Sequence, residues 1–191
     1  MTSWSQSISD ECCAPRPPVV CCRGQWRCPS PGPLIDPAYA DVTYAAADPG
    51  ALQTLTPSLP GFYTLMPFAN ARLLHNITFD VPSPTPAAPA YGLILANPGV
   101  YSVSFSVETL EGIAVVLYVD GNFQFDTQVG MDNPPPQRAD TVLVGNTVLL
   151  KTTHPGTHLH IALRPGGAVA TLPQFRIGAY VNQRLVVTQI A

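Results

Sequence analysis

From about Phe62 onward, short apolar or alternating runs recur with turn signals between them, and no stretch carries a helical stripe. The runs are Phe62–Phe68, Arg72–Phe79, Gly92–Leu95, Gly99–Thr109, Ile113–Val119, Asn122–Gln128, Asp140–Val144, Thr147–Lys151, His158–Arg164, Ala168–Leu172 and Gln183–Ile190. Breaks fall at Pro82–Pro89, Asn97-Pro98-Gly99, Asp120-Gly121, Pro134–Pro136, Gly145-Asn146, His154-Pro155-Gly156 and Pro165-Gly166-Gly167. Strands this short and this regularly interrupted specify an all-β sandwich. Asp120-Gly121 after the apolar Ile113–Val119 is a hairpin signal. Within Val100–Val107 the alternation is strict. Tyr101, Val103, Phe105 and Val107 share one face, and Ser102, Ser104 and Ser106 the other.

Residues 1 to about 60 are different. They are rich in Pro, Ala, Ser and Thr and have no sustained period. Pro15, Pro17, Pro18, Pro29, Pro31 and Pro33 exclude helix and inner-strand positions. The expected division is therefore a Cys/Pro-rich extended connector arm over 1–60 and a sandwich domain over 61–191. An extended stretch of thirty residues spans about 100 Å, more than one domain. Such an arm has little core of its own and orders by lying on a neighbour.

All five cysteines, Cys12, Cys13, Cys21, Cys22 and Cys28, lie in the arm, so the body must fold on packing alone. Zinc sites favour C-x2–4-C pairs. Vicinal cysteines point apart along an extended chain, and no histidine precedes His75. Disulfides, at least partly between subunits, fit the pattern better, and the odd count leaves one thiol free or paired with another chain. The N-terminal segment has no basic region followed by an apolar one, so no Sec signal peptide is expected there.

Three motifs in order carry a family resemblance. Asn76-Ile77-Thr78-Phe79-Asp80 is followed by a proline-rich insert, Tyr91 and Leu93-Ile94-Leu95. Then come Asn97-Pro98-Gly99-Val100-Tyr101-Ser102-Val103-Ser104-Phe105 and Val115-Val116-Leu117-Tyr118-Val119-Asp120-Gly121. Leu185-Val186-Val187-Thr188-Gln189-Ile190-Ala191 resembles a closing strand. Over about residues 62–191 the chain resembles the tumour necrosis factor-like jelly roll, in particular the globular heads of the complement and collagen-tail families. Within that group it is most similar to the C-terminal domain of collagen-like exosporium glycoproteins of spore-forming bacteria. The resemblance implies a jelly-roll β-sandwich that trimerises, with strand aromatics at a three-fold interface. Tyr101, Phe105, Tyr118, Phe175 and Tyr180 are the candidates for that interface or for the monomer's own core. No Gly-X-Y repeat is present, so a collagen stalk is not expected, and the cysteine-bearing arm stands in its place.

Charge narrows the function. Charged residues are 11% of the chain and the net charge is -3, which offers no basic field for nucleic acid or anionic lipid. No segment is long and apolar enough to span a bilayer as a helix. Sparse surface charge invites association. No G-x-S-x-G or paired-carboxylate pattern points to an enzyme, and no cofactor is expected. His158 and His160, at i and i+2 on a strand, share a face and are the candidate metal ligands. Asp120, Asp126, Asp132 and Asp140 are candidates for calcium between strands, without a fixed loop spacing. The expectation is a structural subunit of a disulfide-cross-linked filament or coat on a bacterial spore or cell surface. Its partners would be further copies of itself, with the arm docking on a neighbouring trimer. The alternative is a trimeric receptor- or glycan-binding head.

Overall fold

The computed structural model describes residues 36–44, 53–55, 59–109, 112–130, 142–165, 175–177 and 183–191. Two antiparallel sheets face each other. The first runs β10 (Val142–Thr152), β7 (Gly99–Thr109), β13 (Gln183–Gln189), β1 (Tyr39–Tyr44) and β4 (Asn70–His75). Beyond them β12 (Phe175–Ile177) pairs with the end of β7, and β2 (Gln53–Leu55) pairs with β12. The second sheet runs β5 (Ile77–Phe79), β6 (Gly92–Leu95), β11 (Thr157–Pro165), β8 (Ile113–Val119) and β9 (Asn122–Gly130), with β3 (Thr64–Leu65) on the far end of β11. The chain changes sheet between β2 and β3, β3 and β4, β4 and β5, β6 and β7, β7 and β8, β9 and β10, β10 and β11, and β11 and β12. That wiring is a jelly roll. No helix among the described residues is long and apolar enough to cross a membrane.

The core follows from the alternation read in the sequence. Tyr101, Val103, Phe105 and Val107 are all buried between the sheets, and Ser102, Ser104 and Ser106 face out. Leu185 and Val187 of β13 and Ala40 and Val42 of β1 continue the apolar face across the first sheet. Ile113, Val115 and Leu117 of β8 and Leu159, Ile161 and Leu163 of β11 meet it from the second. Tyr101 brings a hydroxyl into this interior. It donates to the Asn97 carbonyl at 2.6 Å, and burial pushes its pKa up. The Pro98-Gly99 turn is closed by the last residues of the chain. Gln189 donates to the Pro98 carbonyl and accepts from the Ala38 amide, and the Val100 amide donates to the Ala191 carbonyl at 2.6 Å. A Cβ on Gly99 would lie 2.4 Å from the Ala191 carbonyl oxygen, so only glycine fits this approach.

Several boundaries differ from the sequence expectation. β1 and β2 come from the stretch assigned to the arm, and residues 36–191 form one compact unit. The composition boundary at 60 therefore falls inside the folded unit. The cause is Tyr39–Tyr44, whose alternate residues Ala40, Val42 and Tyr44 are buried once β13 and β4 flank them. Residues 1–35, with all five cysteines, lie outside the described residues, as do the run Ala168–Leu172 and Tyr180. Gly145-Asn146 is not a break. β10 runs through it, paired along its whole length with β7. A Cβ on Gly145 would lie 2.5 Å from the Phe105 carbonyl oxygen, so the glycine serves a close strand approach rather than a turn. The run Arg72–Phe79 bends at Asn76, φ 53°, and thereby leaves one sheet for the other. The run at Phe62 opens with a 3-10 turn, Pro60–Phe62, ahead of β3.

Tyr101→Phe leaves the Asn97 carbonyl without its donor and is expected to destabilise the fold by about 1–2 kcal/mol in urea unfolding. Gly99→Ala is expected to cost more, because backbone must move. An unchanged midpoint for both would mean that the turn contributes nothing to stability.

Candidate assembly face and histidine-aromatic cluster

The outer face of the first sheet carries small hydroxyl side chains along β7, with larger apolar ones on the strands beside it. Pairing sets its rows. Thr147, Ser104, Val186, Asp41 and Leu73 lie side by side across five strands. Leu149, Ser102, Thr188, Tyr39 and His75 form the next row. The Ser104 and Thr147 hydroxyls hydrogen-bond at 2.8 Å. Large apolar side chains stand open to solvent on this surface, with Leu149 70% and Leu143 62% exposed and Leu73 and Tyr39 also accessible. A shallow depression of about 330 Å³ lies among Ser104, Ser106, Gly145, Thr147, Arg184 and Val186. Arg184 at its rim makes a bidentate ion pair. Arg184 donates through Nε and Nη2 to both Asp41 oxygens at 2.9 and 2.8 Å. These hydrogen bonds hold the Asp41 carboxyl below its ordinary range and raise the Arg184 guanidinium.

The outer face of the second sheet carries rings. Tyr118 stands opposite His160 on β11 and Phe123 on β9. Its ring centroid is 4.8 Å from that of Phe123 and 5.9 Å from that of His160. Phe123 also packs on Tyr63 at 4.6 Å and stacks with Phe125 at 5.4 Å. Phe125 is 62% exposed, because β9 carries extra chain here opposite β8. The Thr127 hydroxyl holds that irregularity, accepting from the Leu117 amide and donating to the Gln124 carbonyl.

His158 and His160 lie on one face as their spacing requires, with rings stacked at 6.2 Å. The His160 ring covers Gly92, where a Cβ would come within 2.3 Å of Nδ1. His160 Nδ1 donates to the Tyr91 carbonyl at 3.0 Å, which leaves the ring lone pair on Nε2. No group of three or more metal-ligating residues forms among the described residues. The two imidazoles are thus a pair, short of the four ligands of a closed zinc site. Of the candidate calcium ligands, Asp120 accepts from the His158 amide at 2.8 Å and stands 3.3 Å from His154 Nε2. Asp132 and Asp140 lie outside the described residues.

The candidate interface aromatics divide. Tyr101 and Phe105 fill the monomer's own core, 0% and 4% exposed, and so do not reach a surface. Tyr118 belongs to the ring cluster of the second sheet. Phe175 heads β12, where the backbone alone is described. The exposed leucines of β10 were missed because Thr147–Lys151 reads as a half-buried alternation. Which parity points inward follows only from pairing with β7.

No family model matches this sequence, and no curated protein matches it. Solved structures match by shape. A tumour necrosis factor protein, Eiger, from S. frugiperda aligns with TM-score 0.52 at 12% identity, over 81% of this chain and 94% of that one. The globular domain of zebrafish complement 1qA aligns with TM-score 0.52 at 14% identity, over 81% and 97%. Murine APRIL at pH 8.0 aligns with TM-score 0.51 at 8% identity, over 81% and 99%. The fold is the tumour necrosis factor and complement-head jelly roll. At these identities the likeness is one of fold alone.

The Asp41–Arg184 pair should tie stability to acid. The folded carboxyl titrates below its ordinary value of 3.8, so its contribution is fully present above that value. It is lost as pH falls through the lower, folded pKa. Unfolding midpoints between pH 5 and about 2 should fall more steeply for the native protein than for Asp41→Asn. Parallel curves would mean that the pair is equally titrated in the unfolded chain.

Proposed function

We propose that this protein is a structural subunit that associates with copies of itself, as a trimer, and is built into a cross-linked filament or coat on a bacterial spore or cell surface. The observation that carries the reading is the outer face of the first sheet, where Leu143, Leu149, Leu73 and Tyr39 lie exposed among small hydroxyl residues. A flat, weakly charged face of this kind buries well against another protein surface. The resemblance to tumour necrosis factor-like heads supports three-fold association. The confinement of all five cysteines to residues 12–28 supports covalent locking by the arm. Each lock would join two thiols with loss of two electrons and two protons to an oxidant such as oxygen. A closed trimer has point symmetry, and a head-to-tail contact through the arm would open it into a fibre.

A second reading, a trimeric glycan- or receptor-binding head, is favoured by the exposed ring of Phe125 stacked on Phe123 beside His158 and His160. Exposed aromatic faces of this kind can stack on sugar rings.

Electron microscopy with and without reductant separates the two. Filaments or sheets that disperse to trimers in reductant are expected. Uniform discrete trimers under both conditions would move the weight to the binding head. Leu149→Asp is expected to shift the reduced protein from trimer to monomer by at least about tenfold in dissociation constant, since a charge buried at an interface costs more than 1.4 kcal/mol. Light scattering reads this directly, and an undisturbed trimer would remove this face from the interface.

A further inference from the structure

Among the described residues, the sandwich is open along one edge. β4 ends the first sheet and β5 ends the second, and the chain passes from one to the other at Asn76. Leu74 lies opposite Ala40, a core residue, and so points to the core side, yet it is 37% exposed. Beside it a groove of about 740 Å³ runs along Leu74–Ser83, floored by Ile77 and Phe79 and walled by Val81 and Pro82. Ile77 belongs to the main core and Phe79 packs against it, so the groove is a gap in the core's own wall. Half the backbone groups of an edge strand point away from its single neighbour and template an added strand.

What precedes Asp36 fits this groove. Asp36 lies at its mouth, its carboxylate 2.9 Å from His75 Nε2 and 3.2 Å from Asn76 Nδ2. Seven residues, Pro29–Ile35, lead back from it to Cys28 and span about 25 Å when extended, enough to reach the edge of a neighbouring copy packed close by. Prolines cannot donate to a ladder, and between Pro18 and Pro29 lies a proline-free stretch, Val19–Cys28, of apolar character. Its ten residues match the ten, Leu74–Ser83, that line the groove. Charge agrees. Residues 12–35 hold Arg16, Arg23 and Arg27 and no acidic residue, whereas residues 36–191 hold ten acidic and six basic ones.

We propose that the open edge of the sandwich, the groove along Leu74–Ser83, receives the stretch Val19–Cys28 of a second copy as an added strand. The inference rests on the self-assembling reading and gives its arm a seat. An added strand carries alternate residues to opposite faces, so Cys21 and Cys22 point opposite ways. One of them faces the groove, and the other is left for a disulfide outside it.

The body has no cysteine of its own, which makes the test direct. Full-length protein carrying Leu74→Cys, with Cys12, Cys13, Cys21, Cys22 and Cys28 all changed to Ser, is mixed with protein of native sequence. The mixture is oxidised with oxidised glutathione and mapped by peptide mass spectrometry. The control is Asn122→Cys in the same cysteine-free background, at the opposite edge of the second sheet. The expected result is a disulfide from position 74 to one of Cys21 and Cys22, about tenfold above the control, because docking raises the local thiol concentration. Equal capture by both positions, or capture chiefly of Cys12 or Cys13, overturns the proposal. A position-74 disulfide that forms only within one chain, in Leu74→Cys protein with native arm cysteines, overturns the second copy as occupant. If native filaments form and disperse in reductant but position 74 captures nothing, the groove fails and the assembly reading stands. If the native protein stays in discrete particles, the assembly reading fails whatever position 74 captures.

Discussion

β7 is flanked by β10 on one side and β13 on the other, and its alternation decides both faces of the first sheet. Tyr101, Val103, Phe105 and Val107 fill the space between the sheets, each large side chain contributing roughly 1.5–3 kcal/mol by burial. Ser102, Ser104 and Ser106 keep the opposite face low and flat. A slip of one residue would put serines in the core and aromatics in solvent, so this register is strongly specified. Everything proposed for the outer face depends on it, because Leu149 and Thr147 are presented by strands aligned to β7.

The two outer faces are built for different chemistry. The first sheet shows small hydroxyls, isolated leucines and one bidentate ion pair, a surface suited to close approach by another flat protein face. The second shows stacked rings and imidazoles, with Tyr118 set between Phe123 and His160. The open edge between β4 and β5 is a third kind of surface, in which core apolar groups meet free strand backbone. A subunit with a self-contained core and these three surfaces has the parts that a cross-linked assembly needs. In the proposed assembly, one surface would serve neighbours about an axis, one the next copy along, and one the outside.

The motif order and the strict alternation of Val100–Val107 made the jelly roll legible, since period-2 patterning reports directly on which face is buried. The same reasoning misplaced the start of the domain. Tyr39–Tyr44 is a single short alternation in a proline- and alanine-rich setting, and its pairing partner, Gln183–Gln189, lies almost at the other end of the chain. Local pattern carries no record of so distant a partner. Gly145 misled for a related reason. Glycine marks both turns and close strand approaches, and only the carbonyl of Phe105 beneath it tells them apart.

The sequence alone determined the fold class, the burial of Tyr101 and Phe105's strand face, the shared face of His158 and His160, and the confinement of the cysteines to residues 12–28. These are properties of neighbouring residues, fixed by a side-chain period or by composition. Tertiary structure decided the rest. It made Leu143 and Leu149 exposed, gathered Tyr63 from the turn before β3 with Tyr118 and Phe123 from β8 and β9, joined Asp41 to Arg184, and left a groove beside Leu74. Each of these depends on which strands lie side by side, and that is set by the packing of the whole core rather than by any segment within it.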